Sequence, residues 1–99
     1  MSIAKVYKIT SPDTSKIYIG VTQKRLLCMR LSQHAHDYRR YLNNKHGYVS
    51  SYEIIKTKNY KIELIEEFTY NNKKEKHDKE KYYIDLNKSI VCNIHNKRN

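Results

Sequence analysis

"KVYKITSPDTSKIYIG", residues 5–20, carries one small pattern twice. Tyr7 and then Tyr18 sit in apolar, β-branched runs, the second of which ends at Gly20. Residues 3–10 alternate partly, with Ile3, Lys5, Tyr7 and Ile9 set against Ala4, Val6, Lys8 and Thr10, which predicts a strand. "SPDTS" (11–15) holds the only proline beside Ser, Asp and Thr, the chemistry of a turn. "KIYIGV" (16–21) follows as a second strand, stopped or bulged at Gly20. The stretch therefore reads as a β-hairpin that brings Tyr7 and Tyr18 side by side. They are either ordinary aromatic strand residues or two hydroxyls presented at one spot.

Downstream the period changes. Leu27, Leu31, Ala35, Tyr38 and Leu42 form one apolar stripe at helical spacing within residues 24–42. Thr22 is the expected N-cap of this helix, and Gly47 suits the turn after it. "VSSYEIIKT" (49–57) predicts a short helix capped by Ser50 or Ser51, with a strand as the alternative. "YKIELIEEF" (60–68) reads as a third strand with a mixed second face. "NNKKEKHDKEKYYIDLN" (71–87) reads as a second long helix capped by Asn71 or Asn72. The expected architecture is α+β: one domain over residues 1–99, with a small three-stranded antiparallel sheet flanked by helices. The N-terminal hairpin and the later strand supply that sheet.

Composition narrows the function classes. A 99-residue chain with 38% hydrophobic residues can bury only a small core, and with ten Tyr, one Phe and no Trp that core must lean on tyrosine. No apolar run is long enough to span a bilayer, and no signal-peptide core opens the chain, so an intracellular protein without a membrane role is expected. Cys28 and Cys92 are far apart and form no CxxC pair, which fits free thiols in a reducing compartment. The formal charge is +10, from 20 Lys+Arg against 10 Asp+Glu. Lys24, Arg25, Arg30, Arg39, Arg40 and Lys45 lie in a segment with one acid, Asp37, whereas acids gather between Glu53 and Asp85. That asymmetry points to a basic face and a polyanionic partner. Lys (15), Ile (11), Tyr (10) and Asn (9) all have A/T-rich codons, so part of the lysine excess reflects an AT-rich genome; a viral, phage or mobile-element source would suit that.

Four further side chains can carry chemistry. Arg30 and His34 are an i,i+4 pair on one margin of the helix stripe, facing where Tyr7 and Tyr18 would point. Singly, each has an ordinary reading: Arg30 covering apolar surface, His34 bonded to backbone. Glu80 precedes Tyr83 and Ile84 on the docking side of the last helix, where a carboxylate needs a cation or a metal; a salt bridge to Lys76 is the plain alternative. Asn93 sits inside the apolar run "VCNIH" (91–95), where a buried amide needs partners. A zinc site from Cys92, His95, His34 or His36 lacks a proper ligand pair, and Gly20 and Gly47 alone make no phosphate-cradling loop.

Taken together, "VYKI" and "KIYIG" across a turn, Arg30 and His34 four apart, Glu80 in "EKYYI" and Asn93 in "CNIH" resemble the GIY-YIG endonucleases over essentially the whole chain. One departure is that Lys5 stands where the first motif has glycine. The resemblance implies a metal-dependent endonuclease acting on double-stranded or branched DNA. Glu80 would hold one divalent ion, Mg²⁺ or Mn²⁺, and Arg30 would donate to the phosphate. Tyr7 would serve as general base with its pKa lowered by nearby cations, Tyr18 and His34 would position water or relay its proton, and Asn93 would brace the metal side. Lys16, Gly20, Lys24, Arg25, Arg39 and Arg40 are the expected nucleic-acid contacts, and His46 is a further candidate beside the site. A targeting protein or a second copy would be the partner of such a catalytic domain. The competing reading is a catalytically silent, basic nucleic-acid-binding module on the same fold; a structural protein with codon-driven charge is a third.

Overall fold

The computed structural model describes residues 2–92. Its elements run β1 (Ser2–Ser11), β2 (Thr14–Thr22), α1 (Leu27–Leu42), α2 (Tyr52–Ile55), β3 (Lys61–Tyr70) and α3 (Lys73–Leu86). The three strands form one antiparallel sheet in the order β2-β1-β3, so the tyrosine-bearing β1 is central. The α+β expectation holds. Asn93 lies outside the described residues, and no helix among the described residues is long and apolar enough to cross a membrane.

Strand alternation sends the two faces of β1 into two cores. Ala4 and Val6 join Ile19, Phe68, Tyr70, Ile84 and Val91 on the side covered by α3. Tyr7 and Ile9 join Ile54 and Ile55, with Leu27, Leu31 and Tyr38 packed against them, on the side covered by α1 and α2. Between these pairings, β3 carries a bulge: Val6 pairs with Glu66 but Tyr7 with Leu64. The extra residue reverses the parity of β3. Ile62 before it faces the α1 side, whereas Phe68 and Tyr70 after it face α3. The mixed face read from the sequence is this parity change. Glu66 consequently turns to α3, where it accepts from Tyr83 Oη at 2.6 Å and Lys79 Nζ at 3.2 Å.

Helix termini correct three expectations. Thr22 does not cap α1; it ends β2, and its Oγ1 accepts from the Lys24 backbone N–H at 3.1 Å. The helix starts at Leu27 behind Leu26, with no side-chain cap. At its other end Asn44 (φ 60°), not Gly47, takes the left-handed position, which asparagine tolerates because its side chain is short and polar. The stripe also ends early, since Leu42 is exposed at 60%. Asn72 does cap α3, accepting from Glu75 N–H at 3.0 Å, while the Glu75 carboxylate returns to Asn71 N–H at 2.8 Å. After α3 the chain lies along the outer edge of β2, where Cys92 N–H donates to Ile17 O and Ile17 N–H to Ile90 O.

Candidate active site

Antiparallel register places Tyr7 opposite Gly20 and Ile9 opposite Tyr18, so the two tyrosines are diagonal neighbours on one face. Their ring centroids are 6.3 Å apart. Tyr7 is completely buried, and its ring crosses directly over Gly20. A Cβ at Gly20 would lie 2.5 Å from Tyr7 Cζ and closer still to the hydroxyl. Gly20 has no positive φ, so its lack of a side chain serves space rather than backbone conformation. Gly20, expected among the nucleic-acid contacts, is the buried floor beneath Tyr7.

From α1, Arg30 and His34 converge on the same phenol. Arg30 Nε donates to Tyr7 Oη at 3.2 Å, and Tyr7 Oη lies 2.8 Å from His34 Nε2. On its other side, His34 Nδ1 meets Ser51 Oγ at 2.8 Å. His34 is therefore bonded to side chains at both nitrogens rather than to backbone. Tyr18 packs edge-on against the imidazole, with centroids 5.3 Å apart. Tyr18 is only partly buried and forms the side of the cluster nearer to solvent.

The electrostatics follow from burial. His34, 3% exposed, is held down to about 4, first by desolvation and then by the Arg30 charge, with Asp37 opposing, so it is neutral at pH 7. Tyr7 is raised, because desolvation, helped by the Glu80 charge, outweighs the downward pull of Arg30. This corrects the expectation that cations lower it: the free domain keeps Tyr7 protonated. Tyr18 is raised as well, by burial and by Tyr7 and Glu80 beside it.

Glu80 lies on α3, within electrostatic range of this cluster. Its charge acts on Tyr7 and Tyr18, and Arg30 acts on it in turn. Burial raises the carboxyl above its ordinary range, opposed by His77, Lys76 and Arg30. Among the described residues no ion pair ties it down, to Lys76 or to any other cation. It borders an open cavity of about 220 Å³ together with His77, Asp78, Lys81 and Ile84. No group of three or more His, Cys, Asp or Glu side chains gathers among the described residues. A half-buried, unpaired carboxylate beside open space suits a hard cation that keeps most of its waters and completes its shell with phosphate oxygens, as Mg²⁺ does.

The basic residues frame the cluster without joining it. Lys24 and Arg25 lie in the segment leading into α1, and Lys5 Nζ approaches Lys24 O at 3.5 Å. The Lys5 that replaces a motif glycine sits two residues from Tyr7 on the same face of β1. Arg39 and Arg40 lie at the far end of α1, about 15 Å from Arg30 at the helical rise of ~1.5 Å per residue. Lys16 is exposed on β2. His46 stands apart from the tyrosine cluster, 3.1 Å from Tyr52 Oη and 4.0 Å from Asp37. The sequence reading missed Ser51 as a site residue because a serine ahead of a short helix has a sufficient role as its cap; α2 has no side-chain cap, and that hydroxyl goes to His34 instead.

A model of the GIY-YIG catalytic domain matches residues 4–99, nearly the full chain. The chain belongs to the GIY-YIG family, a class of endonucleases, and its three-stranded sheet flanked by helices is consistent with that domain. Membership implies nuclease activity; such domains act on DNA and typically use a divalent metal. No curated protein and no solved structure matches the chain.

Proposed function

We propose that the domain hydrolyses DNA phosphodiester bonds at a single site made by Tyr7, Tyr18, Arg30, His34 and Glu80, with one divalent ion on Glu80. The observation that carries this reading is the convergence of Arg30 and His34 on the buried Tyr7 hydroxyl beside Tyr18. Arg30 can only donate, so it occupies a lone pair of the Tyr7 oxygen. In this reading the hydrogen of Tyr7 lies toward His34 Nε2, a neutral base. Tyr18, the more exposed phenol, lies beside Tyr7 with ring centroids 6.3 Å apart, and in this reading it stands between Tyr7 and the attacking water.

Protons consequently run inward. As the attacking water forms its bond to phosphorus, it gives a proton to the Tyr18 oxygen. Tyr18 passes its own to Tyr7, and Tyr7 passes its own to His34 Nε2, leaving an imidazolium and two neutral phenols. The bond from phosphorus to the 3′ oxygen breaks, and that oxygen takes a proton from solvent. This order refines the assignment of Tyr7 as the base touching water: it is an interior relay, and Tyr18 is its outer contact. Arg30 serves twice. Its guanidinium donates to the phosphate as charge builds there. A phosphate beside it also offsets the cation that holds His34 down, so substrate binding makes the base stronger. A divalent ion on Glu80, when bound, supplies charge stabilisation at the phosphate and the leaving oxygen.

The test is nicking of supercoiled plasmid with Mg²⁺ or Mn²⁺, wild type beside Glu80→Gln, with isothermal titration of Mn²⁺ in parallel. Joint loss of Mn²⁺ binding and nicking in the variant is expected. Wild-type protein that binds plasmid and never cuts it, with flap and branched DNA tried too, would favour the silent binding module.

A further inference from the structure

We propose that Ser51 is the positioning residue that fixes the tautomer of His34, and so sets the direction in which protons leave the site. The consequence for catalysis rests on the phosphodiester reading above; the tautomer itself does not. Ser51 is fully buried at the head of α2, and its Oγ sits 2.8 Å from His34 Nδ1. A neutral imidazole carries a single N–H, and the partner at one nitrogen decides the state of the other. At Nε2 the partner is Tyr7, whose oxygen already receives the Arg30 donor. With Arg30 on one lone pair of that oxygen, we assign the one hydrogen of the phenol to His34 Nε2 as acceptor. That assignment puts the imidazole hydrogen on Nδ1, with Ser51 Oγ as its acceptor.

Local structure agrees with this assignment. A serine at a helix head ordinarily turns its hydroxyl to the helix backbone. Here α2 has no side-chain cap bond, and the Ser51 backbone carbonyl alone serves the helix, accepting from Ile54 and Ile55. With the oxygen removed, the Nδ1–H would be buried without a partner, which costs stability. Moving the hydrogen to Nε2 would escape that cost. It would also turn Nε2 from acceptor to donor, and the relay from Tyr7 would have nowhere to deliver its proton.

The test combines ¹⁵N NMR of the His34 ring in the free wild-type domain at pH 7 with nicking kinetics of wild type, Ser51→Ala and Ser51→Thr. We expect the hydrogen on Nδ1 in wild type, a shift towards the Nε2–H form in Ser51→Ala, and restoration by threonine. The rate kcat should fall by about 10-fold or more in Ser51→Ala with KM unchanged, part of what a general base provides. A wild-type His34 with its hydrogen on Nε2 would overturn the assignment, as would an unaltered tautomer in Ser51→Ala. The wild-type spectrum decides even where the variant does not fold. A domain that never nicks yet carries Nδ1–H defeats the nuclease reading alone; one that nicks with Nε2–H defeats the Ser51 assignment alone.

Discussion

Replacing Gly20 with alanine is the sharpest perturbation of this site that leaves every polar group in place. The new methyl carbon would sit 2.5 Å from Tyr7 Cζ and 3.0 Å from Cε2, well inside van der Waals contact. Gly20 and Tyr7 are both buried, so neither can swing into solvent. Relief requires the phenol to move by about 1 Å, the gap to an ordinary carbon contact of ~3.5 Å. That shift breaks its 2.8 Å bond to His34 and its 3.2 Å bond from Arg30. Overpacking costs about 1–3 kcal/mol, and two lost hydrogen bonds cost about 1 kcal/mol each. A total of about 3–5 kcal/mol in a domain of this size lowers Tm by roughly 12–40 °C. Thermal unfolding of Gly20→Ala in the wild-type and Tyr7→Leu backgrounds isolates the contact, because leucine has no atoms at the clash. The penalty should shrink by about 2 kcal/mol with leucine, a coupling typical of residues in direct contact. A Tm within 2 °C of wild type (about half a kcal/mol or less), or an equal penalty in both backgrounds, would refute the argument.

Three other outcomes follow from the same geometry. Glu80→Gln removes a carboxylate that burial disfavours, so its Tm should equal or exceed that of wild type while nicking falls at least about 100-fold, the scale of one transition-state charge contact; melting and plasmid assays read the two effects. His34 titrates near 4 in the fold against 6.5 ordinarily, so between these values the unfolded chain binds a proton that the fold excludes, and stability rises with pH across this window. The loss on acidification from pH 6.5 to 4 is about 3 kcal/mol, partly offset by Glu80, whose raised carboxyl favours the fold when protonated; Tm against pH should flatten in His34→Gln. Arg39→Ala and Arg40→Ala should each reduce the slope of log K against log salt for DNA binding by about 0.9, one released counterion, without altering Mn²⁺ binding.

The hairpin and the convergence at Tyr7 were legible because both depend on period alone. Tyr7 and Tyr18 are eleven residues apart across a proline-bearing turn, which puts them on neighbouring strands, and Arg30 and His34 share a helix margin by simple angular spacing. Features set by tertiary contact were not legible. The bulge opposite Val6 and Tyr7 reverses β3, and no residue of "IELIEEF" (62–68) announces it. Thr22 has the chemistry of a cap, but its backbone is held in β2. The direction of the Tyr7 shift depends on burial depth against one cation, and depth cannot be read from a strand pattern. Ser51 shows the same limit, since its partner lies seventeen residues earlier on another element.

The central claim is that Tyr7 sits in a proton relay serving phosphodiester cleavage, and Tyr7→Phe tests it most directly. Loss of a single oxygen leaves the ring packing over Gly20 intact. Nicking of supercoiled plasmid should fall by about 100-fold or more, the scale of general-base loss, while DNA binding in the same buffer stays within about twofold (0.4 kcal/mol). Nicking at the wild-type rate by Tyr7→Phe would contradict the relay, wherever else the proton goes.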